Sequence, residues 1–92
     1  MTGQTYIVRH VHRGAITQSL QSLLEGFGYH HLSSREDVAR ATDREVFTLS
    51  THVIVGKDEQ QEYQADLTVN PDMVSDIRRR LAELSYKLFQ EM

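Results

Sequence analysis

The chain contains no cysteine and no tryptophan, and only one proline in 92 residues. Without cysteine it can build neither a disulfide framework nor a thiolate metal site, and nucleophilic thiol chemistry is excluded. Such usage favours a reducing, cytoplasmic setting. No apolar run approaches the roughly 18 to 20 residues of a membrane span, and the opening MTGQTYIVRH lacks the apolar core of a signal peptide. The expectation is a cytoplasmic protein with no membrane contact. No repeat, low-complexity tract or linker interrupts the chain, so residues 1–92 read as a single compact α+β domain. At this length the core is small, and association with a partner or as a homodimer is an expected source of further stability.

Acidic residues are missing from one part of the chain and basic residues from another. The first acidic residue is Glu25, so Arg9, His10, His12 and Arg13 stand in an acid-free quarter. From Asp58 to Asp76 the chain carries Asp58, Glu59, Glu62, Asp66, Asp72 and Asp76 with no lysine or arginine between them. The formal charge of −3 moves to +2 if all five histidines protonate, so the sign of the net field depends on mild acidity.

Periodicity supplies the elements. A strand is predicted over about Thr5–Val11. After Gly14, Ile16, Leu20, Leu23, Leu24 and Phe27 share one face of a helix that stops at Gly26 or Gly28. SSRE at 33–36 has capping-box spacing, Ser33 to Glu36, and predicts a short helix to about Ala41. Alternation predicts a strand over Glu45–Val55 and a second one through Tyr63–Val69, joined as a hairpin by the turn at 56–61. YHHL at 29–32 offers a fragment of edge strand. Asn70 and Pro71 open a last helix expected to run nearly to Met92, with Met73, Val74, Ile77, Leu81, Leu84 and Leu88 as its core stripe. The predicted fold is an α+β two-layer sandwich, β-α-α-β-β-α, with a small, mostly antiparallel sheet and helices packed on one face.

Three chemistries compete for RHVHRG at 9–14. IVRHVHRG resembles the LVRHG start of the histidine phosphatase superfamily, which implies a phosphorylated His10 and a phosphate-binding Arg9. Val11 stands where that family has a small glycine, and the chain lacks the length and the alternating parallel-sheet pattern of its fold, so no membership follows. His10 and His12 share a strand face at chelating spacing, with His30 and His31 nearby, but no carboxylate at ligand spacing completes a metal site, and none is expected. Arg9, His10, His12 and Arg13 beside a helix start instead suit an anion, a phosphate or a nucleotide. Ser50 and His52 share a strand face with no oxyanion element and make no catalytic pair.

The Arg78-Arg79-Arg80 run fans over about 200° of helix with acidic partners at i,i+4, which reads as a salt-bridged solvent face. Direct nucleic-acid binding is not expected at this net charge. Tyr86 and Phe89 fall off the core stripe of the last helix and are expected at the surface. Together with Asp58, Glu59, Glu62 and Asp66 they define the leading expectation, a non-enzymatic protein-binding domain without cofactor. This would be a small regulator or inhibitor engaging a larger assembly through charged and aromatic patches. A basic nucleic-acid-handling protein is one form of that partner. The rival expectation is the anion binder centred on RHVHRG.

Overall fold

In a computed structural model, residues 3–52 and 63–90 are described. The strands are β1 (Gln4–His10), β2 (His30–His31), β3 (Val46–His52), β4 (Tyr63–Val69) and β5 (Lys87–Gln90). They form one sheet in the order β2-β3-β4-β1-β5. All neighbours are antiparallel except β2 and β3. The helices are α1 (Leu20–Gly26), continuing the wide π-helical turns of Ala15–Ser19, then α2 (Arg35–Arg40) and α3 (Val74–Ala82), which follows a 3-10 turn at Pro71–Met73. The α+β class and the small, mostly antiparallel sheet agree with the sequence reading. No helix among the described residues is long and apolar enough to cross a membrane.

Two split β-α-β units interlock. β1 and β3 flank β4, while β4 and β5 flank β1. The pleat then sorts the side chains. On one face Tyr6, Val8, Phe47, Ala65, Leu67 and Val69 meet Ile16, Leu20 and Leu24 of the first helical segment and Ile77 and Leu81 of α3 in a continuous buried core. Each buried Val, Leu, Ile or Phe among them, fully withdrawn from water, contributes about 1.5–3 kcal/mol before entropy is counted.

The opposite face carries Thr5, Ile7, Arg9, Thr48, Asp66, Thr68 and Phe89. The short α2 lies over its β3–β4 half. Thr5 and Thr68 hydroxyls hydrogen-bond at 2.9 Å, Arg35 reaches Asp66, and Val38 of α2 is buried. Gly3 completes this packing, since a Cβ there would stand 3.1 Å from both Val38 and Thr68. α2 is capped one residue later than expected, with the Ser34 hydroxyl accepting the Asp37 N–H at 3.1 Å. Asn70 caps the 3-10 turn as predicted, accepting the Asp72 N–H at 3.0 Å.

The C-terminus departs from expectation. The last helix stops at Ala82, and Lys87–Gln90 is a strand paired with β1, Ile7 opposite Phe89. Ser85, at φ 69°, is the left-handed residue that turns the chain. Its N–H donates to Ala82 O at 3.1 Å and the Tyr86 N–H donates to Leu81 O at 3.1 Å, a Schellman closure. Leu84 therefore leaves the predicted core stripe and is 45 % exposed.

Candidate functional site

Of the four residues of the RHVHRG reading, His10 and His12 stay in contact while Arg9 turns to the opposite face of the sheet. His10 lies on the core face at the end of β1 and is only 7 % exposed. Its Nδ1 accepts the His12 N–H at 3.0 Å, so the proton sits on Nε2, which donates to Leu84 O at 3.1 Å. The ring packs 4.6 Å from Tyr86 and 5.3 Å from His12. Nε2 thus fastens β1 to the turn after α3, while Nδ1 holds the chain where it leaves β1. Arg9 points to the other face of the sheet by the pleat, and His12 and Arg13 are exposed beyond the strand. Among the described residues no group of three His, Cys, Asp or Glu side chains is placed to hold a metal ion.

The acidic surface divides similarly. Asp58, Glu59 and Glu62 lie outside the described residues. Asp66 is largely buried against Arg35 of α2, 3.3 Å away, and Asp72 pairs with Arg44 at 3.5 Å. Asp76 accepts from Tyr29 at 2.7 Å and from Arg79 at 2.8 Å, with Arg80 at 3.3 Å. The Tyr29 hydrogen bond foremost, with help from Arg80 and Arg79, holds its carboxyl below the usual carboxylate range although partial burial opposes this. Burial and the Asp76 carboxylate push the Tyr29 hydroxyl up to about 12. An open cleft of about 310 Å³ is bordered by Ser75, Asp76 and Arg79, but the carboxylate at its wall is already spent on joining α3 to the segment after α1. Arg80 also sits over the Phe27 ring at 5.1 Å, so Arg79 and Arg80 of the arginine run are tied to the neighbouring surface.

The aromatic pair splits. Tyr86, expected outside, is buried, with its hydroxyl donating to Ala15 O at 2.6 Å and its pKa raised by that burial. The reason is the early end of α3: as the residue following the left-handed Ser85, Tyr86 turns inward. Phe89 is exposed as expected, at 46 %. It stands on the half of the sheet that α2 leaves uncovered, opposite Ile7, with the Arg9 guanidinium 5.3 Å from its ring centre. Lys87 shares that face two residues earlier. The open surface of Ile7, Arg9, Lys87 and Phe89, bounded by the outer edge of β5, is the candidate site. The period-2 alternation of Tyr86, Lys87, Leu88 and Phe89 was the signal for it, overridden by the longer helical stripe. No family model, curated protein or solved structure matches this chain.

Proposed function

We propose that the protein is a non-enzymatic binding domain, a small regulator or inhibitor that docks on a larger protein through its β1–β5 face, which no helix among the described residues covers, and the acidic segment around Asp58. The observation that carries the reading is Phe89, an aromatic side chain left 46 % exposed on a sheet face beside Ile7 and Arg9. A half-exposed aromatic flanked by an aliphatic and a cation has the composition of an interface anchor, apolar area with a polar rim. The acidic segment adds charge of the opposite sign, which suits a partner with a basic surface, nucleic-acid-handling proteins included.

Affinity capture with quantitative mass spectrometry tests this. Ile7→Lys, which places a charge in the open face, and the triple reversal of Asp58, Glu59 and Glu62 to lysine should each deplete the same captured protein at least tenfold. Gln21→Lys on the exposed side of α1 should not. Equal capture by all variants contradicts the reading.

A further inference from the structure

Of the six residues of α2 only Val38 is buried, whereas α1 buries Leu20 and Leu24 and α3 buries Ile77 and Leu81. Arg35, Glu36, Asp37 and Arg40 are exposed. A helix this short does not persist in water by itself, so docking on the sheet is what keeps it folded. The surface it docks on is rich in hydroxyls. Thr48 and Thr68 are buried there, and the pleat turns them, with Val46, away from the core. The Thr5 and Thr68 hydroxyls bond to each other at 2.9 Å, a bond that does not need the helix. Arg35 reaches Asp66 at 3.3 Å from a side chain that is 53 % exposed, and an ion pair so open to water adds little. Among the described residues, the continuous core on the other face of the sheet draws no side chain from α2.

Both ends of α2 are anchored at one place on the sheet. The His30 N–H donates to Glu45 O and the Leu32 N–H to Phe47 O, each at 2.7 Å, so the chain leaves β2 and returns into β3 beside its own point of departure. The segment between, 33–45, is a loop closed by strand pairing, and raising its helix breaks none of those bonds. We infer that α2 is a displaceable cover, which lifts from the β3–β4 half of the sheet while the strands and the core behind them stay folded. Local openings of this kind come from elements that bury few apolar contacts. Lifting uncovers Thr48 and Thr68 on the same face as Ile7 and Phe89, which enlarges the sheet surface that the chain can present. The inference goes beyond docking on a larger protein and does not rest on it, because the opening is an equilibrium of the free chain.

Thiol labelling of the full chain reads the uncovering, since the chain has no cysteine of its own. With Thr68→Cys as the single thiol, a small thiol reagent in native buffer should react about a hundredfold or more faster than global unfolding of the same variant, measured in urea, allows. Leu67→Cys, the neighbouring residue on the core face, should be held to the global rate. Adding Val38→Ala to Thr68→Cys should speed labelling about tenfold or more, because the helix loses its buried anchor. Labelling of Thr68→Cys no faster than global unfolding, or indifferent to Val38→Ala, overturns the inference. A covalent lock tests the same opening without a probe beneath the helix. A Cβ at Gly3 would lie 3.7 Å from the Val38 Cβ, inside the roughly 3.5–4.5 Å span of a disulfide. Gly3→Cys with Val38→Cys, oxidised, should slow hydrogen exchange of the Ala39 and Arg40 amides about tenfold or more against the same chain reduced. Equal exchange in the two redox states contradicts the opening.

Discussion

Replacing His10 by leucine removes two hydrogen bonds and leaves the His12 N–H and the Leu84 carbonyl without the imidazole they share. We expect a loss of about 1–3 kcal/mol, read as a lower urea midpoint at unchanged slope. The His-x-His spacing was visible in the sequence, but the partner that defines its role is 74 positions away and meets it only through the β1–β5 pairing. Residue chemistry is legible locally; what a ring nitrogen bonds to is a property of topology. Tyr29 and Asp76 give a pH test. The Tyr29 hydroxyl titrates at about 12 when folded against 10.0 ordinarily, so its contribution is complete below pH 10 and is lost as pH rises toward 12. The Asp76 carboxyl is depressed, so its contribution is present above the ordinary carboxylate range and is lost as pH falls through and below it. Tyr29→Phe should flatten the alkaline limb of stability against pH, and Asp76→Asn the acid limb, both followed by thermal melts.

Helix ends decide the elements. α1 closes with Gly28 at φ 102°, its N–H donating to Glu25 O at 3.0 Å and the Tyr29 N–H to Leu24 O at 3.1 Å. α3 closes by the same bonds with Ser85 in place of glycine. Leu24…Gly28-Tyr29 and Leu81…Ser85-Tyr86 are therefore equivalent turns, each delivering a buried tyrosine and then a strand. The glycine made the first stop readable. The serine hid the second, because a non-glycine residue at positive φ carries no compositional mark, and the leucine spacing beyond it continues to fit a helix. Ser85→Gly should stabilise the protein by about 0.5–1 kcal/mol by relieving the left-handed backbone. Gly28→Ala should cost about 1–2 kcal/mol, a backbone penalty alone, since no atom lies within 4 Å of the added Cβ. Chemical denaturation of both variants measures the pair.

Across the whole molecule, the hairpin and the core-facing halves of β1, β3 and β4 follow from alternation, which is why the class of fold was readable. The sheet order was not, since it depends on a fifth strand concealed by the serine stop. With that strand in place one face has a helix over β3–β4 and, among the described residues, none over β1–β5, where Phe89 lies. The proposed contact surface is this side of the sheet and not the RHVHRG segment. Site-specific photo-cross-linking tests it most directly, with benzoylphenylalanine placed at position 89 or at position 12 of the full chain, in lysate and in concentrated solution. Adducts from position 89 and none from position 12 are predicted, their masses telling a second copy from a larger partner. Adducts from position 12 with none from position 89 would contradict it.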